Sequence, residues 1–113
     1  MITRIPGSNP TRSRGVIADN LVYTVAVSPD KVPSMYEQTK AALAGIDKNL
    51  REAGSDKSRI LTAMVYIADM AQKEDMNRAW DEWVDRGNPP MRACLGVMLE
   101  GKDLVEIIVT AAK

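Results

Sequence analysis

Asn88-Pro-Pro-Met-Arg92-Ala-Cys94-Leu-Gly-Val-Met-Leu99, then Glu100-Gly-Lys-Asp103, then Leu104-Val-Glu106-Ile-Ile-Val-Thr-Ala-Ala112 is the stretch whose reading decides the fold. Two runs rich in β-branched and apolar residues flank a four-residue loop with a glycine, the pattern of a hairpin. The two prolines stop whatever precedes them and hold the entry to the first strand extended. Alternation puts Arg92, Cys94, Gly96 and Met98 on one face, and Ala93, Leu95, Val97 and Leu99 on the other. In the second strand Glu106 shares a face with Leu104, Ile108 and Thr110. One arginine and one glutamate thus sit in otherwise apolar strands, where a charge must be paired, solvated in a cleft or functional. In a hairpin centred near residue 101 or 102 they would lie roughly 16 Å apart along the sheet, too far for a cross-strand pair. Each therefore needs a partner from another strand, another subunit or a ligand.

Composition narrows the functional classes. The 113 residues form a single domain, 1–113, large enough to bury a core. Fifteen acidic residues balance fifteen basic ones, which gives neither nucleic acid nor an anionic membrane surface an electrostatic reason to bind. The Arg4, Arg12 and Arg14 cluster reads as loop solvation in so balanced a chain. There is no histidine, so Ser–His and Cys–His catalysis and the commonest zinc ligand are absent. A lone cysteine rules out an internal disulfide and suits a reducing cytoplasm. The N-terminal residues carry no apolar leader, and no run is long enough to span a membrane. No phosphate-binding glycine loop or metal-ligand cluster occurs, so neither a cofactor nor a metal is expected.

Upstream, residues 1–14 read as a short strand at most, followed by a loop. Gly15–Ala18 and Leu21–Val27 around Asp19-Asn20 form a hairpin. Ser34 and Glu37 make an S-x-x-E capping box, and Gly54 marks the far end of the helix they open. Met35, Thr39, Ala42, Leu43, Ile46 and Leu50 recur at helical spacing between them. Ile60–Ala68 reads as a strand buried on both faces or nearly so. Asp69 offers an N-cap to a second helix with Met76, Ala79, Trp80, Trp83 and Val84 along one stripe, closed by Gly87. The tryptophans read as helix–sheet packing. The order β-β-α-β-α-β-β predicts an α+β domain, a mostly antiparallel sheet with two helices on one face. The other face, carrying some of Val25, Met64, Cys94 and Ile108, is left open, and an apolar face of that size predicts an oligomer.

The element order, Pro90-Met-Arg92-Ala-Cys94, the Lys102-Asp103 turn and Val105-Glu106-Ile107 together resemble the Rid family (RidA/YjgF/YER057c) over about residues 15–112. Gly54-Ser-Asp-Lys-Ser58 and Met76-Asn77-Arg-Ala-Trp80-Asp-Glu-Trp83 look like its short YoaB-like branch. The resemblance implies a chorismate-mutase-like fold of the bacillus type, in a homotrimer with the sheets inside and a cleft at each subunit interface. It also implies hydrolysis of reactive 2-imino and 2-enamino acids to 2-keto acids and ammonia. By position, Arg92 would grip the substrate carboxylate bidentately, a task that suits a planar guanidinium. Glu106 would orient or deprotonate the attacking water. Thr24, Asn77 and Cys94 fall at pocket positions, Cys94 as a wall, since nothing in the chain would generate a thiolate. Thr24-Val25-Ala26 replaces the family's Ser-Gly-Gln, and Arg12 stands about where deaminating members carry a pocket tyrosine. A deaminase is therefore weighed against a non-catalytic trimer that binds small carboxylate metabolites in a regulatory or protective role.

Overall fold

A computed structural model describes residues 1–113. Six strands form one sheet: β1 (Ile2–Pro6), β2 (Ser13–Ala18), β3 (Leu21–Val27), β4 (Ile60–Ile67), β5 (Met91–Gly96) and β6 (Val105–Ala112). Helices α1 (Met35–Glu52) and α2 (Lys73–Trp83) pack on one face of it. The molecule is only 19 Å deep along its shortest axis, one sheet and one helix layer. The α+β class is thus as expected, with β1 added ahead of the expected order.

Local chemistry accounts for the elements. β2 and β3 turn through Asp19-Asn20, where Asp19 has φ 54°, a conformation that aspartate tolerates better than most residues. Ser34 caps α1 by accepting the Glu37 amide at 3.2 Å. The reciprocal half of the capping box is not made, because the Ser34 amide donates to Val32 O and Glu37 turns to Lys40. Gly54 follows the helix at φ +82°, the left-handed C′ position that only glycine adopts without strain. Asp69 caps a single 3₁₀ turn, Met70–Gln72, that runs into α2. Gly87 does not close α2, contrary to expectation. The helix ends at Trp83 because Val84 goes extended, and Gly87 lies beyond it in a turn held by Asp85.

The larger correction concerns the two C-terminal strands, which do not form a hairpin. The strand order is β1-β2-β3-β6-β4-β5, so β4 lies between them, antiparallel to β6 and parallel to β5. Eight residues, 97–104, connect β5 to β6. At ~3.3 Å per residue they reach easily across two strand spacings of ~4.8 Å. The apolar β4, able to pair on both edges, fills the gap. The β4–α2–β5 segment is then a parallel crossover unit.

One core lies between sheet and helices. Val22, Val65, Ile67, Val105, Ile107 and Val109 project into it from the strands, against Leu43, Ile46, Leu50 and Met76 of the helices. The opposite face carries Tyr23, Ile108 and Leu95, all exposed, with Val25, Met64 and Tyr66 half-buried. β4 is therefore fully buried on one face only. Cys94 does not belong to the open face: its row partner is Val65, and it packs against the core from the helix side. The expected parity within β5 holds, but pairing with β4 assigns its two sets of side chains to the opposite faces.

Candidate functional site

Arg92 sits on the outer edge strand, on the helix side, half-buried. Its row partner is Ala63, a buried helix-face residue, which directs the arginine towards α2. There Nη2 donates to Asn77 Oδ1 at 2.8 Å, and Nη1 approaches Met76 Sδ at 3.7 Å. The guanidinium carbon lies 5.2 Å from the ring centroid of Trp80, which is itself only 6% exposed. Asn77 is oriented in turn by donating to Glu74 at 3.3 Å. No carboxylate lies within salt-bridge distance of Arg92. A guanidinium has five N–H donors. Two are directed at Asn77 and Met76 and the rest are uncommitted. Neutral groups thus hold the fork in place and leave its full charge to an incoming anion, the setting in which bidentate binding of a carboxylate is strongest.

The chain belongs to the endoribonuclease L-PSP family. The family model matches residues 5–113. A RutC family protein of Haemophilus ducreyi is 42% identical over 113 residues, 99% of this chain and 97% of that protein. The RutC family protein YoaB of Escherichia coli is 39% identical over 98 residues, 86% of each chain. A YjgF-family protein of Neisseria meningitidis superposes with a TM-score of 0.94 at 38% identity, covering 100% of this chain and 95% of its own. The resemblance to YjgF read from the strand motifs, and to YoaB from Gly54–Ser58 and Met76–Trp83, is therefore established, and with it the chorismate-mutase-like architecture. No helix of the chain is long and apolar enough to cross a membrane.

Of the residues expected from the sequence to form a site, the fold brings Arg92 and Asn77 into contact, with Cys94 next along the same face of β5. It does not bring Glu106 to them. Glu106 projects from the open face, its row running through Tyr66 to Leu95, three residues along β5 from Arg92. Two strand spacings and three residues separate the pair by roughly 14 Å, on opposite faces of the sheet. Hairpin geometry is thus not what keeps them apart, but neither forms an ion pair with any residue of the chain. Thr24 shares a row with Val109, Ala63 and Arg92, again roughly 14 Å away across three strand spacings.

Thr24 is 4% exposed beneath α1, where its hydroxyl donates to Arg14 O at 2.7 Å and accepts from Asn49 Nδ2 at 2.9 Å. Asn49 Oδ1 accepts from Arg14 Nη1 at 2.6 Å, and Arg14 Nη2 reaches Glu52 at 2.9 Å. This network was not visible in the sequence, because its members lie 25 and 35 residues apart and follow no motif. Trp80 as a platform for Arg92 was missed as well. Its helical spacing indicates packing, and only the placement of β5 shows what its ring faces. The larger concavities lie elsewhere, among them 590 Å³ beside β3 and α1 and 430 Å³ at the loop around Arg12.

Proposed function

We propose that this protein hydrolyses small 2-imino and 2-enamino acids to 2-keto acids and ammonia, at sites completed between copies in a homotrimer. The observation that carries the reading is Arg92, a half-buried guanidinium held only by neutral groups on an otherwise apolar edge strand. It would take the substrate carboxylate, with Asn77 and Trp80 fixing its plane and Cys94 forming part of the wall. Water adds to the imine carbon as Glu106 accepts one of its protons. The tetrahedral adduct then breaks its C–N bond as both protons of the water, one relayed by Glu106 and the other given up by the adduct's hydroxyl, pass to the departing nitrogen, leaving a C=O group and ammonia. In one chain Arg92 and Glu106 face opposite ways, so the reading has a second copy supply the carboxylate. The open face with Tyr23, Leu95 and Ile108 supports such assembly. Thr24 enters as part of the framework, its only donor being committed to Arg14 O. The lone free cysteine suits a reducing compartment, and the reading places the reaction in the cytoplasm.

The second reading, a trimer that binds small carboxylates without turning them over, is favoured by that same commitment of Thr24. Two measurements decide between them. Pyruvate or 2-ketobutyrate at about a hundred times the dissociation constant should stabilise the wild type by ~2.7 kcal/mol, and a carboxamide analogue should not. Arg92→Lys should lose most of the shift and Arg92→Ala all of it. Ammonia release from 2-aminoacrylate, with the same ranking of variants, supports the hydrolase. A thermal shift without ammonia release supports the binding protein. An equal response of wild type and Arg92→Ala refutes both, as does a stable monomer by light scattering.

A further inference from the structure

We propose that the outer groove between α1 and α2 binds a free α-amino acid with an apolar side chain, as its zwitterion. The groove has a volume of 280 Å³ and lies on the helix layer, opposite the open sheet face. Any assembly that buries the sheet leaves it accessible. Its floor is apolar, formed by Leu43, Ala79 and the ring of Trp83. The i, i+3, i+4, i+7 spacing of Lys40, Leu43, Ala44 and Asp47 sets one wall along α1, and Ala79, Glu82 and Trp83 set the other along α2.

The rim carries two charges of each sign, and none of the four pairs across the groove. The carboxylates are anchored by neutral aromatic donors instead. Trp83 Nε1 donates to Asp47 Oδ2 at 2.9 Å, and the Tyr36 hydroxyl donates to Glu82 Oε1 at 2.5 Å. Each keeps its second oxygen uncommitted, so two oriented negative groups face one small apolar floor. That arrangement suits an ammonium, which needs several acceptors at once. Lys57 Nζ is held by Trp83 O at 2.6 Å and lies 5.2 Å from the ring centroid, with two N–H donors still to give. Lys40 Nζ lies 4.7 Å from the Tyr36 ring centroid, and its nearest carboxylate, Glu37 at 3.5 Å, is on its own helix. These two ammonium groups are the receptor for a carboxylate. A lining neutral in sum, with acceptors and donors around an apolar floor, selects a small molecule that carries both charges and an apolar branch. The site stands apart from Arg92 and from the deaminase reading.

The chain's two tryptophans allow a direct test by ¹⁵N–¹H NMR of the full-length protein, the Trp83 indole resonance being assigned with Trp83→Phe. L-leucine should shift that resonance saturably, with a dissociation constant of about 1 mM or tighter. Isocaproate, which lacks the ammonium, and isoamylamine, which lacks the carboxylate, should each bind at least tenfold more weakly. Asp47→Asn retains an acceptor for the indole, so the fold is kept, yet leucine affinity should fall at least tenfold. Lys40→Met, remote from the core, should weaken leucine but not isoamylamine. No saturable shift with leucine overturns the proposal. Equal binding of leucine and isoamylamine also overturns it, as does unchanged leucine affinity in Asp47→Asn with a wild-type spectrum elsewhere.

Discussion

Thr24→Val replaces a hydroxyl by a methyl of nearly the same size and so isolates hydrogen bonding at one buried polar point of the core. Two bonds disappear, Thr24 Oγ1 to Arg14 O at 2.7 Å and Asn49 Nδ2 to Thr24 Oγ1 at 2.9 Å. Arg14 O then lies beside a methyl group, and Asn49 Nδ2 retains only its longer bond to Val25 O at 3.3 Å. Leaving a buried polar group unsatisfied costs about 1–3 kcal/mol. Two affected groups, one of them partly rescued, should therefore cost about 2–4 kcal/mol in all. For a domain of this size that is a fall in Tm of roughly 8–16 °C. Thr24→Ser keeps both bonds and loses one methyl, about 1 kcal/mol. The assay is thermal and urea unfolding of the three proteins at one protomer concentration, since assembly makes Tm concentration-dependent. If Thr24→Val is as stable as wild type, or Thr24→Ser is the worse of the two, the hydroxyl is not the structural hub described above.

Gly54→Ala should destabilise by about 1 kcal/mol, measured by urea denaturation, because its φ of +82° strains any residue with a Cβ. Cys94→Ser should keep most of any ammonia-releasing activity, since the side chain packs against the core rather than facing a base; a loss as complete as that of Arg92→Ala would contradict this. The hydroxyl and amide of Ser58 hold the Asp56 carboxyl below its usual range, so its contribution is present above about pH 3.9 and lost as pH falls through the lower folded value. Acid unfolding of Asp56→Asn should accordingly depend less steeply on pH in that window.

Much of the fold was readable because its signals are local. The Asp19-Asn20 turn, the Ser34 cap and the Gly54 terminus each depend on residues within a few positions of one another. The order of the strands is not local. Nothing in Glu100-Gly-Lys-Asp103 distinguishes a hairpin loop from a connection that steps over β4, since both need a polar segment with a glycine. That single ambiguity carried the misplacement of Cys94, because the face of an edge strand is set by the strand it pairs with. Arg92 was singled out because a charge in an apolar run is conspicuous in any topology. Of its holders, Asn77 was reached only through the family resemblance, and Met76 and Trp80 were hidden, since all three meet Arg92 only through the β4–α2–β5 crossover. Gln38 was hidden in the same way. It is completely buried, and it ties Val32 O, Lys102 O and the Leu104 amide to α1 across gaps of up to 66 residues.

The place of β6 between β3 and β4 has a consequence for how the chain is made. On the ribosome, the β1–β2–β3–α1 half and the β4–α2–β5 half both emerge before the strand that joins them. Until β6 arrives, β3 and β4 each present an apolar edge with unpaired backbone groups, and the helices have only part of a sheet to cover. Nascent chains are thus exposed to edge-to-edge pairing for the whole interval. Completion waits on this one strand, which has to pair with β3 on one side and β4 on the other. The antiparallel pairings β3–β6 and β4–β6 carry high sequence separation, Glu106 lying 79 positions after its partner Val27, and so a slow closing step is built into the topology.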